Sequence, residues 1–174
     1  MKKTSLTAAM LFASAAFASV ANAGVDPLTE VKPMDSEWTY DGTAPDYVVD
    51  VPSFTVPATG VIDYIDSVIP LEFEEEWVKA VQFIPGDKRV LHHLLSYVVA
   101  DEPESHEGML DEAENDPRRE FLEGYAPGKE YATQYPEGTG IKVPVDSALR
   151  MSIHYTSFGQ ETVDNTKVGL WFHD

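Results

Sequence analysis

Val90-Leu91-His92-His93-Leu94-Leu95-Ser96-Tyr97-Val98-Val99 places two adjacent histidines inside a run of aliphatic and β-branched residues that reads as a core strand. Leu149-Arg150-Met151-Ser152-Ile153-His154-Tyr155 places a third histidine in a run of the same kind. An imidazole taken out of water needs a hydrogen bond or a metal for its ring nitrogens. A backbone carbonyl is enough for a solitary core histidine, and that reading applies to each of the three alone. Together, on two strands of a chain without cysteine, they also suit a metal held by neutral nitrogens, with His92, His93 and His154 as ligands. Neighbours on a strand point to opposite faces. His92 and His93 can therefore reach one ion only at a strand end, an edge or a bulge.

The flanking sequence is strand-like too. Residues 74–84 form an acidic lead-in to an apolar strand, and Pro85-Gly86-Asp87 then supplies a turn, so a hairpin onto the two-histidine strand is expected. Upstream, residues 47–51 read as an edge strand stopped by Pro52, and residues 61–69 as a strand stopped by Pro70. Downstream, residues 101–120 form an acidic surface excursion with a short helix over 108–115 and a solvent-exposed His106. Glycine-bounded turns follow at 124–128 and 135–140, a short strand at 141–143, the third-histidine strand, and a last strand at 168–172. Many short strands separated by Pro and Gly, with almost no helical periodicity, predict an all-β fold, an antiparallel β-sandwich of jelly-roll type.

The N-terminus follows other rules. Met1-Lys2-Lys3 is basic, residues 6–20 are apolar, and Ala21-Asn22-Ala23 is a small-x-small cleavage pattern. Residues 1–23 are therefore expected to be a signal peptide cleaved after Ala23, with the protein periplasmic or secreted. Residues 24–46 are expected to form an extended arm that Trp38 and Tyr40 anchor, and residues 47–174 the folded body. The apolar run is too short for a membrane span. The chain carries 12 Lys plus Arg against 30 Asp plus Glu, a net charge of −18, and loss of Lys2 and Lys3 with the leader takes it to −20. Such a surface repels nucleic acid and anionic membranes and concentrates cations. The absence of cysteine removes disulfides and thiolate ligands, and with them blue-copper, iron–sulfur and cysteine-zinc sites.

One ordered set of motifs carries a resemblance: Phe83-Ile84-Pro85-Gly86-Asp87, His92-His93, Gly124-Tyr125-Ala126-Pro127-Gly128, Tyr135-Pro136-Glu137-Gly138-Thr139-Gly140 and Ile153-His154-Tyr155. Over residues 78–172 the chain resembles the N-terminal domain of the copper type II, ascorbate-dependent monooxygenases. That family includes peptidylglycine α-hydroxylating monooxygenase and dopamine β-monooxygenase. The resemblance implies that His92, His93 and His154 bind one copper ion that stores and passes on an electron. The family's second domain, whose His-x-His pair and Met hold the oxygen-binding copper, has no counterpart here, because the sequence contains no His-x-His. Met151 lies three residues before His154, on the opposite face of an extended strand, and is not expected to be a ligand. Where several relatives carry Gln two residues before the third histidine, this chain has Ser152. His173 is expected to be a free terminal residue.

Three functions follow as expectations. The first is the electron-transfer half of a monooxygenase that hydroxylates C–H bonds with oxygen, needing an external reductant such as ascorbate and a second copper domain or partner chain. The second is a stand-alone periplasmic copper-binding or shuttle protein. The third is a zinc hydrolase, in which three histidines leave a fourth position for an activated water.

Overall fold

The structure is a computed structural model and describes residues 38–100 and 119–174. The expected signal peptide, most of the expected arm, His106 and the helix expected over 108–115 lie outside the described residues. Eleven strands are described: β1 Tyr47–Asp50, β2 Phe54–Val56, β3 Ile65–Pro70, β4 Glu76–Ile84, β5 Leu91–Ala100, β6 Glu120–Tyr125, β7 Thr133–Gln134, β8 Ile141–Val143, β9 Ser147–Tyr155, β10 Thr162–Asp164 and β11 Lys167–Phe172. All pairings among them are antiparallel. The described residues contain no helix, and so none long and apolar enough to cross a membrane.

The strands form two main sheets and a ribbon. The first sheet runs β1-β11-β4-β7, with β8 also paired to β4; the second runs β3-β9-β5-β6; β10 and β2 make the ribbon. One hydrophobic core joins them, with Val49, Val78, Val81, Val168 and Leu170 from the first sheet facing Leu91, Leu94, Leu149, Met151 and Ile153 from the second. Alternation is clear in β9. Leu149, Met151, Ile153 and Tyr155 are all buried in the core, and His154 lies on the other face. A slip of one residue would take those four side chains out of the core. At about 1.5–3 kcal/mol each, that loss exceeds any single hydrogen bond the slip could gain.

The expected hairpin between β4 and β5 is not formed. β4 pairs with β11, β7 and β8, whereas β5 pairs with β9 and β6, so the link between them crosses from one sheet to the other. The reason lies in the corner. The Asp87 carbonyl accepts from the Val90 and Leu91 N–H groups, which winds the chain through one helical turn instead of reversing it. Gly86 is pressed against Asn165, whose side-chain oxygen lies 2.1 Å from where a Cβ would stand. The Asp87 carboxylate takes both Arg89 Nε (2.9 Å) and Arg89 Nη2 (2.7 Å), together with the Thr162 hydroxyl (2.9 Å).

Other boundaries also shift. The strand expected over 61–69 begins only at Ile65, and Glu120–Tyr125, whose two ends fall in the expected surface excursion and the expected turn, is the edge strand beside β5. β1 is an edge strand, paired only with β11. Trp38 and Tyr40 pack on Trp171 at 5.7 Å and 5.4 Å between ring centroids. Gly169 makes room for this, since a Cβ there would lie 2.6 Å from the Trp38 ring.

The corner yields a test. The Arg89 guanidinium holds the Asp87 carboxyl below its ordinary value, outweighing burial, which acts the other way. A carboxyl depressed on folding stabilises the protein above its unfolded value of about 3.9, and that contribution is lost as pH falls through the folded value. Asp87→Asn is expected to cost roughly 1–3 kcal/mol at neutral pH. Urea unfolding of both proteins should show the difference shrinking below about pH 4.

Candidate metal centre

The two histidine strands are neighbours, and their pairing is irregular at one place. Leu91 pairs with Tyr155 and His93 with His154, with a register shift between them, so His92 and His93 together oppose the single residue His154. This bulge changes the parity of β5. Leu91 and Leu94 are both buried in the core, at 1% and 0% exposure, which an unbroken alternation would forbid. Both histidines between them are thereby freed from the core.

The three imidazoles meet. Ring centroids are 5.1 Å apart for His92 and His93, 5.2 Å for His92 and His154, and 4.9 Å for His93 and His154. One nitrogen from each ring lies within 4.8 Å of one from each of the others. Two ligands of one ion at metal–nitrogen bonds of about 2.0–2.1 Å stand roughly 3–4 Å apart, so small ring rotations would complete a three-nitrogen site. His92 Nδ1 and His93 Nδ1 are already 2.9 Å apart, a contact that needs a hydrogen on only one of them. His154 Nδ1 is buried and has no hydrogen-bond partner. A buried nitrogen left bare in this way is costly unless something else binds it. His92, His93 and His154 could therefore hold a metal ion, and nothing in the geometry identifies copper over zinc.

Tyr64, which the sequence reading did not single out, completes the cluster. Its hydroxyl lies 2.9 Å from His93 Nε2, and its ring stacks on His154 with centroids 4.8 Å apart and 16° between planes. A hydroxyl that occupies Nε2 leaves Nδ1 of the same ring for another partner, as outer contacts of metal-binding histidines commonly do. The register explains the placement. Ile65 pairs with Ile153, so the residue before Ile65 stands across from His154. Only the strand pairing, invisible in the sequence, brings residue 64 there.

The surroundings of His93 favour its neutral ring. Burial holds His93 below its ordinary value of 6.5, and repulsion from His154 and His92 adds to the shift. The other candidates lie elsewhere. Met151 is fully buried in the core, as expected of a non-ligand. His173 is not a free terminal residue: its N–H donates to the Trp77 carbonyl, and its Nε2 lies 2.8 Å from the Thr139 carbonyl. Comparison with protein-family models, with curated proteins and with solved structures finds no match.

His154→Ala is expected to weaken zinc or copper binding at least 100-fold, and Tyr64→Phe about tenfold, the scale at which outer contacts matter. Competition with a chromophoric chelator measures both, with circular dichroism confirming the fold. Because protons compete for the ring nitrogens and the His93 shift is downward, affinity should change little above pH 6.5 and fall as pH drops below it.

Proposed function

We propose that this chain is the electron-storing copper domain of a copper type II, ascorbate-dependent monooxygenase, built on a jelly-roll sandwich and exported from the cytoplasm. The observation that carries the reading is the convergence of His92, His93 and His154 with a bare, buried His154 Nδ1. The ordered motifs around those residues, similar to those of the monooxygenase family, support it further. Three neutral nitrogens and no thiolate suit copper in either oxidation state, and copper heads the divalent affinity order.

Bound copper would supply one-electron storage, taken from a reductant such as ascorbate and passed on to an oxygen-activating site. The chain's own residues set the conditions for that. His93 and His154 are half-buried and His92 is exposed, so the site is open to solvent on one side only. Leu91, Leu94 and Ile153 form the dry wall beneath the histidines. Tyr64 holds two of the three rings in place. The full reaction puts one oxygen atom of O2 into a C–H bond and reduces the other to water, with a second copper domain completing the machinery.

A second reading, a copper shuttle, is favoured by the exposure of His92, because an acceptor could reach the ion from that side. The hydrolase reading lacks such support, since the three-histidine group includes no carboxylate among the described residues.

Metal analysis of protein purified from an exported compartment is expected to find one copper ion per chain. Ascorbate should reduce it, with no oxygen consumed by this chain alone and hydroxylation only when a second copper domain is supplied. Copper transfer to an acceptor with no turnover in any combination would favour the shuttle. Stoichiometric zinc without copper would overturn both.

A further inference from the structure

We propose that the buried carboxylate of Asp164 is the positioning residue of the three-histidine site, acting through Tyr155 on β9 and through the backbone of Asp87 ahead of β5. The inference rests on the metal-binding reading of that site. Asp164 is fully buried at the end of β10. One of its oxygens, Oδ2, accepts from the Tyr155 hydroxyl (2.9 Å), the Thr166 hydroxyl (2.7 Å) and the Thr166 N–H (3.3 Å). The other, Oδ1, accepts from the Asp87 N–H at 2.8 Å. A carboxylate taken wholly out of water is tolerable only with such a set of donors, and it holds them firmly in return.

What those donors are attached to gives the cluster its role. Tyr155 directly follows His154 and pairs with Leu91, which directly precedes His92. The Asp87 carbonyl binds the Val90 and Leu91 N–H groups, and the Val90 carbonyl accepts from the Thr156 N–H at 2.8 Å. The chain entering the bulge and the chain leaving His154 are thus tied to one carboxylate. A bulge interrupts the ladder, so regular pairing cannot fix the relative placement of the strands there. Asp164 supplies the missing constraint. The Tyr155 ring is held along its face as well, stacked on Phe54 at 5.1 Å and 11°, and Phe54 is the residue paired with Asp164 in the ribbon.

Two substitutions separate positioning from general stability. Tyr155→Phe and Thr166→Val each remove one hydroxyl donor from the same carboxylate oxygen, but only the first lies on a histidine strand. Both are expected to lower the melting temperature. Affinity for Zn2+ and Cu2+, measured by chelator competition on the full chain, should fall about tenfold or more in Tyr155→Phe and stay within about twofold of the parent in Thr166→Val. The nitrogen hyperfine pattern of the cupric protein should change in the first variant only. If Tyr155→Phe does not fold, Asp164→Asn is compared with Thr166→Val in the same way. Equal affinity losses in both variants, or parental affinity in the tyrosine variant, would overturn the positioning role while leaving the metal site standing. A parent protein that binds neither ion overturns the metal reading, and this inference with it.

Discussion

A change of parity in one strand underlies the rest of the molecule. β5 must send Leu91 and Leu94 into the same core, and two intervening residues cannot separate two inward positions on a regular strand. The extra residue is absorbed at His92, and the cost is an interrupted ladder. The return is geometric, because two consecutive side chains leave the core and meet a third on β9. Burial of two leucines, at about 1.5–3 kcal/mol each, is strong enough to hold this arrangement against the hydrogen bonding lost at the bulge.

The surroundings make the irregularity a defined shape. β9 is flanked by β3 and β5, so His154 stands on a strand paired along both edges. The second sheet is also fastened to the first, where the hydroxyl of half-buried Tyr135, beyond β7, donates to the Leu122 carbonyl on β6. Burial pushes that hydroxyl far above its ordinary value, with the negative charges of Glu123 and Glu120 adding to the effect. Hydrogen bonds such as that from Tyr135 to Leu122 link groups in both layers. They fix the relative placement of apolar sheets that hydrophobic burial alone would leave free to slide.

Much of this was legible in the sequence. Strand content came from β-branched runs between Pro and Gly, and the ligand candidates from three histidines in such runs. The adjacency of His92 and His93 called for a strand end, an edge or a bulge, and the register shows it to be a bulge. What could not be read was pairing. The Pro85-Gly86-Asp87 turn has the residues of a hairpin, but its course is decided by Asp164 and Asn165, almost 80 residues downstream. Tyr64 escaped notice for the same reason, since its place across from His154 depends on a strand register that no local pattern encodes. Gly124, a turn former by composition, lies inside an edge strand paired with β5, at a point where a Cβ would press on Leu95 at 3.1 Å.

The bare backbone at Gly169 lets the Trp38 indole lie against the first sheet and meet Trp171 edge-on. The two indoles stand 5.7 Å apart and nearly perpendicular, and Trp171 belongs to the sheet that does not carry the three clustered histidines, with Trp38 packed against it. The protein therefore contains an optical gauge of its own packing, separate from whatever colour or magnetism an ion might bring. A spectroscopist could follow the scaffold and the centre as independent signals in a single sample.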